Sequence, residues 1–489
     1  MRNVSKSIFL KALDCPTAAW IARREDQTDG ARTRSLTLGE QFRMEQGREI
    51  GKRARQLYPE GILVAEDTMA SAAGRTEALL EDPSVVVVFE GAFLVDGYAA
   101  RADILRRMDS GWHLYEVKSN VNDDEKFIDD MAYTALAMKH SGWLVTELSL
   151  LLLSKDFRLG MPHASLFAEL DHTDEVLARI EELESAWQDI EESSRSPDKT
   201  PPKLHYECRE CEYFSGCVGA GIENPIFDIP RLGRDRFDRL VELGVDCIES
   251  IPDSFSLTDQ QAIVRDCVVA KDIYVSRGLG DGLEAIEWPA YYLDFETVMT
   301  AIPLYSEVAP YTQIATQFSM HVCSKPGEIG DHFEYLGNPS SDSRRKLAEE
   351  LLRCLDNAGS ILAYSSFEKR IINGLAKQYP HLEERLQAAV ERIVDLAAII
   401  RRGFYHPGFH GSYSIKRVLP VLVPELSYTN LDIQEGDAAS ATYALLALRR
   451  IDQATDVETA RKQLLDYCRQ DTLAMVRLHD RLASLSAAS

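Results

Sequence analysis

The sequence predicts a multidomain α/β protein. A chain of 489 residues is longer than one hydrophobic core usually serves, so we expect two or three domains. Glycine-containing turns separate strand-like runs within residues 90–118, as in a β-meander. Later in the chain, strand-like runs come first and helix and strand then alternate, which favours a mixed sheet flanked by helices. We therefore predict domains at residues 1–220 and 286–489, joined by a helical connector at 221–285.

The composition is typical of a globular protein and limits the kinds of partner that we expect. Hydrophobic residues make up 45% and charged residues 27%, as in a globular chain. No apolar run reaches the roughly 18–20 residues that span a bilayer, and the N-terminus lacks the apolar core of a secretory signal. We expect a cytoplasmic protein with no membrane partner. The net charge of −24 counts against a general polyanion-binding surface, although a groove for nucleic acid needs only local Lys and Arg.

Three of the nine cysteines form a metal-binding pattern, Cys208-x2-Cys211-x5-Cys217. A C-x2-C pair is close enough in sequence to hold one metal ion or one edge of a cluster. Cys15, near the start of the chain, is the natural fourth ligand. Four thiolates fit zinc or an iron–sulfur cluster equally well, and unligated thiols are the remaining alternative.

The predicted meander carries a set of charged residues. Glu116 and Lys118 share one face of a strand at residues 112–119, and Asp103 can meet them from the paired strand. Such an acid pair with a lysine suits hydrolysis of a phosphodiester, because the carboxylates hold the ion that activates water and the lysine offsets charge on the phosphate. The alternative is a surface ion pair.

With the flanking cysteines, these residues resemble the RecB-type PD-(D/E)XK nucleases, in particular those closed by a four-cysteine iron–sulfur cluster. Residues 45–54 and 57–61 are similar to that family's N-terminal motif. The resemblance covers roughly residues 5–220. It implies a restriction-endonuclease-like fold and a [4Fe-4S] cluster rather than zinc. The sequence departs from the family at Thr134, where a glutamine usually faces the site. The alternatives are that Tyr133 takes over part of the glutamine's role or that this site is slow.

The connector reads as a helix over residues 231–245, with a glycine stop, and a second helix that begins near Ser254. The two helices form either a hairpin that grips phosphate or a packing element. A later loop at residues 406–416 carries His410 and Lys416. That loop is either a backbone-binding element or a rigid turn.

A second set of acids begins with Asp294-x-Glu296, at the end of an apolar strand-like run over residues 288–298. Both side chains point to one face of the strand. Two unpaired carboxylates side by side repel each other, and a divalent cation removes that repulsion. The alternative is an exposed edge strand with two solvated acids. Further strands are expected at residues 311–322, 332–336 and 360–364, and a helix at 343–355.

Two further elements complete this set. Glu368 follows the last of those strands, and Tyr467 and Asp471 share one face of a long amphipathic helix over residues 460–484. The combination resembles the tyrosine-bearing DEDD exonucleases of the ribonuclease H-like fold.

That resemblance implies two magnesium or manganese ions held by four carboxylates, with a tyrosine orienting the attacking water. The residues concerned are Asp294, Glu296, Glu368, Asp471 and Tyr467. Most such enzymes carry aspartate where this chain has Glu368, and Asp395 matches an accessory acid of related exonucleases.

Together, the two resemblances predict a metal-dependent nuclease with two hydrolytic sites, acting in DNA processing or defence. DNA is the expected partner because RecB-like modules mostly act on DNA. The alternatives are a nucleic-acid-binding scaffold with one or both sites inactive, and an RNA-processing exonuclease. Protein partners cannot be inferred from the sequence.

Overall fold

The computed structural model describes residues 3–25 and 36–487, which form two compact units. The first unit comprises Met1–Lys203 with Thr300–Thr312, and the second comprises Leu204–Met299 with Gln313–Ser489. Each unit contains helices and a mixed sheet, so the predicted multidomain α/β class is confirmed. The functional modules predicted at residues 1–220, 221–285 and 286–489 stay predictions. In the described residues, no helix combines the length and the apolar character needed to cross a membrane.

The first unit alternates short and long elements. Its strands are β1 (Val4–Ser5), β2 (Ile62–Leu63), β3 (Val87–Val95), β4 (Tyr98–Met108), β5 (Gly111–Val117), β6 (Val145–Leu153) and β7 (Phe167–Asp171). Its helices are α1 (Lys6–Asp14), α2 (Pro16–Glu25), α3 (Leu38–Arg55), α4 (Met69–Glu81), α5 (Lys126–His140), α6 (Thr173–Arg195) and a short 3-10 helix at His163–Leu166.

The sheet of this unit has the order β2-β3-β4-β5-β6-β7. β3, β4 and β5 run antiparallel, as the predicted meander requires, and β6 adds parallel to β5. β1 pairs with the first residues of β4, whereas β5 pairs with its last residues. The start of the chain is therefore held against the strand that carries Asp103.

One face of the sheet packs against α1, α5 and α6. Trp187 of α6 stacks on Tyr98 of β4 with ring centroids 3.6 Å apart, and Phe9 of α1 packs against both rings. The opposite face packs against α3 through Ala54, which contacts the smaller cluster of Phe89 and Tyr115. The functional residues predicted on β4 and β5 thus lie on a sheet that is covered on both faces.

The second unit begins with short 3-10 helices and ends with long α-helices. Its strands are β8 (Tyr274–Val275), β9 (Ala290–Val298), β10 (Ile314–Cys323), β11 (Ile329–Leu336), β12 (Ile361–Ala363), β13 (Ile393–Asp395) and β14 (Phe404–Tyr405). Its helices are α7 (Arg234–Glu242), α8 (Asp259–Ala270), α9 (Arg277–Glu284), α10 (Arg344–Cys354), α11 (Phe367–Gln378), α12 (Glu383–Glu391), α13 (Leu396–Gly403), α14 (Ile415–Leu422), α15 (Gly436–Ala447) and α16 (Ala454–Ala487). The 3-10 helices span Tyr206–Glu210, Phe214–Gly216, Ile226–Asp228, Ile248–Ser250, Pro380–Leu382 and Pro407–Phe409.

The main sheet of this unit has the order β11-β10-β9-β12-β13, and β14 pairs separately with β8. β11, β10 and β9 are antiparallel, and β12 and β13 add parallel to β9. β9 is therefore the central strand, with a hydrogen-bonded neighbour on each side. The alternative of an exposed edge strand for Asp294 and Glu296 is wrong.

Candidate active sites

Asp294 and Glu296 lie at the floor of a pocket of about 510 Å³ in the second unit. Both are half-buried, and both leave β9 on the same face, as the i, i+2 spacing predicts. One carboxylate oxygen from each lies within 4.8 Å of the other and of the Cys468 sulfur. We call this space the carboxylate pocket.

Helix α16 supplies the other predicted members of the site. Tyr467 and Asp471 both line the carboxylate pocket, one helical turn apart. Thr472, next to Asp471, is fully buried, and its hydroxyl lies 2.8 Å from Ser319 Oγ and from His321 Nδ1 of β10. These contacts fix the rotation of α16 against the sheet, and they aim Tyr467 and Asp471 at the acids of β9.

Glu368 reaches the same acids from the first turn of α11. Its side chain is 4% exposed, and Oε2 is buried without a hydrogen-bond partner. Asp395 ends β13, where its Oδ1 accepts a hydrogen bond of 3.0 Å from the Ala398 amide. Asp395 therefore caps α13, and its charge acts on Glu368 from the side.

All four acids have raised pKa values, and burial is the largest cause for each. Burial and the charge of Asp471 raise the pKa of Asp294 and of Glu296 well above the usual range. Burial raises the pKa of Glu368 to about 7 and that of Asp471 to about 6. Lys416 is the cation that opposes these shifts at Glu296 and Asp471, and its side chain is exposed. The cluster holds more negative charge than nearby cations balance.

The first unit holds a different acid cluster. Glu116 of β5 is 3% exposed, and its Oε1 accepts from Lys6 Nζ at 2.8 Å and pairs with Lys118 Nζ at 2.9 Å. Lys118 also pairs with Asp130 of α5, and Lys6 lies 3.9 Å from that carboxylate. Burial alone favours a protonated Glu116, but Lys6 and Lys118 outweigh it and lower its pKa. These residues, with Asp103, form what we call the lysine-paired cluster.

Asp103 borders this cluster from β4. Its Oδ2 accepts a hydrogen bond of 2.8 Å from the Val117 amide, and burial followed by the charge of Glu116 raises its pKa to about 7. Glu90 stands opposite Asp103, between the pairs Phe89–Ile104 and Gly91–Ala102, with a left-handed φ of 55°. A non-glycine residue in that conformation within a strand is uncommon and often marks a functional site.

Asp103 and Glu90 open onto a pocket of about 390 Å³. Helix α3 forms its other wall with Arg48, Lys52 and Arg55, and Arg55 pairs with Glu90 at 3.1 Å. Arg48 and Lys52 belong to the segment at residues 45–54 that resembles the family's N-terminal motif, and Arg55 follows it directly. The pocket therefore places cationic side chains across from a carboxylate.

The expected replacement of the family's glutamine is wrong. The Tyr133 hydroxyl is fully buried and donates to the carbonyl oxygens of Val4 and Ala99, at 2.7 and 3.0 Å. Thr134 is also buried, and its hydroxyl donates to the Asp130 carbonyl oxygen. The α5 side chain that meets the cluster is Asp130, one turn earlier, because the helix turns Tyr133 and Thr134 into the core.

The predicted cluster cysteines lie at chain turns. Cys15 separates α1 from α2, and its Sγ accepts a hydrogen bond of 3.4 Å from the Ala18 amide. Cys208, Cys211 and Cys217 occupy a series of tight turns, in which the Cys211 amide donates to the Cys208 carbonyl oxygen at 3.3 Å. Amide donors to sulfur stabilise the negative charge of metal-bound thiolates. The metal-binding role of these cysteines stays a prediction.

Comparison with known proteins finds one family and two relatives. A family described as "Domain of unknown function (DUF2779)" matches residues 291–414. The chain is similar to the "Uncharacterized protein MG366 homolog" of Mycoplasma pneumoniae, with 28% identity over 207 residues. It is also similar to "Uncharacterized protein MG366" of Mycoplasma genitalium, with 26% identity over 208 residues. Each match covers 38% of this chain and 31% of the relative, so the match spans about a third of those proteins.

The family match covers only part of the carboxylate pocket. Residues 291–414 include β9, α11 and β13, and so Asp294, Glu296 and Glu368. Helix α16, which supplies Tyr467 and Asp471, lies beyond the match.

The sequence left several residues of both sites unassigned. In the carboxylate pocket, the Tyr428 hydroxyl donates to Asp471 Oδ1 at 2.5 Å, and the Cys468 thiol donates to Asp294 Oδ2 at 3.6 Å. Burial raises the pKa of Cys468 well above its usual range, so this sulfur is a thiol donor. In the lysine-paired cluster, the unassigned residues are Lys6 and Asp130. Only Cys468 had a local signal, because it follows Tyr467 on the same helix.

Proposed function

We propose that this chain is a metal-dependent nuclease and that the carboxylate pocket hydrolyses phosphodiester bonds, with DNA as the expected polymer. One observation carries the proposal. Asp294, Glu296 and Asp471 line one pocket, and the charge of Glu368 acts on the first two from α11. The cations that oppose this charge are the exposed Lys416, at Glu296 and Asp471, and Arg370, at Glu368. A cluster of this kind is costly unless a cation joins it.

The donor set fits magnesium or manganese. Carboxylate oxygens are the ligands that these hard ions prefer, and Glu368 Oε2 is buried without a protein partner. Asp294, Glu296, Glu368 and Asp471 would hold the ions. Once bound, such ions supply an activated water and offset charge on the phosphate. The central position of β9, with antiparallel strands on one side and parallel strands on the other, supports the ribonuclease H-like assignment.

The protein groups around the acids have separate tasks. Burial and the charge of Asp471 raise the pKa of Tyr467, so its hydroxyl stays protonated and orients water as a hydrogen-bond partner rather than a base. Tyr428 holds Asp471 by the hydrogen bond of 2.5 Å. Lys416 is exposed on the pocket wall, where its ammonium group can meet a phosphate.

The lysine-paired cluster is the proposed second hydrolytic site, of the PD-(D/E)XK type, with Asp103, Glu116 and Lys118 in the roles that the resemblance gives them. The cationic wall of α3 supports contact with a phosphate backbone. However, Glu116 already has two lysine partners. This pairing favours the alternative in which the first unit holds nucleic acid without cutting it.

The test assigns hydrolysis to a site by substitution. Labelled single- and double-stranded DNA and RNA are incubated with magnesium or manganese and with each of four proteins: wild type, Asp294→Asn, Lys118→Ala and Asp331→Asn. Asp331 is an exposed acid of β11 and serves as the matched control. We expect Asp294→Asn to lose more than the roughly 10–100-fold that loss of an outer-sphere partner costs. Asp331→Asn should behave as the wild type.

Other outcomes would support a different site, a different polymer or a binding function. Loss of hydrolysis in Lys118→Ala with full activity in Asp294→Asn assigns the chemistry to the first unit. Hydrolysis of RNA alone supports the RNA-processing alternative. No hydrolysis by the wild type, with retained binding, leaves the nucleic-acid-binding scaffold.

A separate measurement addresses the predicted [4Fe-4S] cluster. We propose Cys15, Cys208, Cys211 and Cys217 as its ligands. Protein purified without oxygen should contain iron and acid-labile sulfide and should absorb visible light, and Cys211→Ser should lose both. Cys247→Ser is the matched control, since Cys247 lies outside the predicted pattern. Zinc without sulfide would overturn this assignment in favour of the zinc alternative.

A further inference from the structure

A second, larger cleft adjoins the carboxylate pocket. Its volume is about 1110 Å³, and it shares Tyr364 and Ile415 with the carboxylate pocket. Its walls come from the turn-rich segment that carries the cysteines, from the connector around α7 and α8, and from the loop before α14. All of these elements belong to the second unit.

The cleft is cationic in a chain whose net charge is −24. Arg209, Arg231, Arg236 and Arg401 line it, and none of the four makes an ion pair with a carboxylate in the described part of the chain. Among the described lining residues the single acid is Asp228, and its Oδ2 lies 2.9 Å from His410 Nδ1. We call this surface the arginine cleft. Its excess of positive charge is local and open to solvent.

Packing holds two of these arginines in place. Arg236 Nη1 donates to Gln261 Oε1 at 2.8 Å, and the Gln261 side chain is buried as part of the capping box of α8. The guanidinium of Arg401 lies 5.6 Å from the ring centroid of Tyr413. Charges on fixed elements bind an anion with a smaller entropy cost than charges on mobile loops.

Aromatic side chains are also part of the lining of the arginine cleft. Phe227 and Tyr364 line it and are half-buried, whereas Tyr413 lines it but is only 8% exposed. One face of Phe227 stacks on Phe237 of α7 with ring centroids 4.8 Å apart. A cationic groove with aromatic side chains is the usual recognition surface for single-stranded nucleic acid, because the arginines contact phosphates and the rings stack on unpaired bases. A duplex does not offer its base faces in this way.

We propose that the arginine cleft binds the backbone of a single-stranded nucleic acid and leads that strand into the carboxylate pocket. The direction of the strand rests on the proposed function, whereas binding itself does not. The proposal gives the connector at residues 221–285 a phosphate-binding role. It also reconciles the acidic composition with a polyanionic ligand, since the cations are gathered where the strand lies.

The test measures binding without hydrolysis. Fluorescence anisotropy of labelled single-stranded DNA, single-stranded RNA and duplex DNA is recorded in EDTA over a series of salt concentrations. The variants are Arg231→Gln with Arg401→Gln in one protein, and Arg345→Gln as the control. Arg345 is an exposed arginine of α10 that pairs with Glu349 and lines neither pocket.

For a single strand, each phosphate contact contributes about 0.7 to the slope of log affinity against log salt. We therefore expect the double variant to bind more weakly and to lower the magnitude of that slope by about 1.4. Arg345→Gln should leave both quantities unchanged. Preference for DNA or for RNA then identifies the polymer.

Three results overturn the proposal: equal effects in the double variant and in Arg345→Gln, an unchanged salt slope in the double variant, and equal affinity for duplex and single strand. Asp294→Asn separates this inference from the proposed function. If the protein binds a strand through the arginines but shows no metal-dependent hydrolysis, the inference about the arginine cleft holds and the proposed nuclease function is wrong.

Discussion

The two acid clusters of this protein differ in how their charge is balanced. In the lysine-paired cluster, the buried carboxylate of Glu116 has Lys6 and Lys118 within 3 Å, and its pKa is lowered. In the carboxylate pocket, Asp294 and Glu296 have acids as neighbours, and their pKa values are raised. Lysines within the protein balance the charge of Glu116, whereas no such pairing balances Asp294 and Glu296.

This difference predicts different dependence on divalent ions. An ion that enters the lysine-paired cluster meets two ammonium groups at Glu116 Oε1, so Coulomb repulsion opposes its binding. An ion that enters the carboxylate pocket relieves repulsion between acids and displaces protons from them. We therefore expect the two proposed hydrolytic sites to differ widely in their affinity for metal.

The largest expected effect is the stabilisation of the second unit by manganese. A ligand at about 100 times its dissociation constant stabilises the folded state by about 2.7 kcal/mol, or about 100-fold in the opening equilibrium. Hydrogen exchange followed by mass spectrometry reports this stabilisation separately for each segment of the chain. We expect manganese to slow exchange in β9 and α16 far more than in β4 and β5.

The matched variants are Asp294→Asn and Asp103→Asn. The first should abolish the effect of manganese on β9 and α16, and the second should leave it intact. Equal protection of β4 and β5 in the wild type would contradict the comparison, because it would show that paired lysines do not hinder ion binding.

The next effect is on pH dependence in the absence of metal. Asp471 and Glu368 have pKa values raised to about 6 and about 7, whereas an unfolded carboxyl titrates near pH 4. The folded protein therefore binds more protons in this window, so the free energy of unfolding falls as pH rises from about 4 to about 7. The loss is on the order of 2 kcal/mol for a shift of this size. Glu116, with its lowered pKa, contributes stability that is lost only as the pH falls below the ordinary range of a carboxyl.

Urea unfolding in EDTA, followed by circular dichroism at several pH values, measures this slope. Asp471→Asn should flatten it and should raise the free energy of unfolding at pH 8, because a buried charge is removed. Asp331→Asn, at an exposed position, should match the wild type. A slope in Asp471→Asn that equals the wild-type slope would place the titrating groups outside the carboxylate pocket.

The acids of the carboxylate pocket were predictable because their spacing is local. Residues two apart on a strand and four apart on a helix share a face, so Asp294 with Glu296 and Tyr467 with Asp471 follow from periodicity alone. The elements that carry them were also found, although α16 begins at Ala454 and ends at Ala487, beyond the predicted residues 460–484. Asp456 in the first turn of α16 favours the earlier start.

The partners that set the charge of each site were not predictable. Lys6 lies 110 residues from Glu116 in sequence, and Tyr428 lies 43 residues from Asp471. No periodic pattern links such positions, because their contact depends on how β1 pairs with β4 and how the loop before α15 folds back. The role suggested for Tyr133 was wrong for a related reason. The sequence has a tyrosine near the expected position, but packing in the core sets the rotation of α5 and turns this side chain away from the site.

The smallest expected effect is the coupling between the two lysines that share Glu116. Each lysine contacts the same Oε1 atom, so either can satisfy the buried carboxylate when the other is absent. Lys6→Ala and Lys118→Ala should each destabilise the first unit modestly. The double variant should cost more than the sum of the two, by about 1 kcal/mol, because it leaves a buried charge without a partner. Urea unfolding of the four proteins in the cycle measures this coupling energy. Repeating the cycle in Glu116→Gln should reduce it to the part that the two lysines share through Asp130. Strict additivity in the wild-type background would mean that the lysines do not neutralise Glu116 together, and the contrast between the two clusters would then rest on the carboxylate pocket alone.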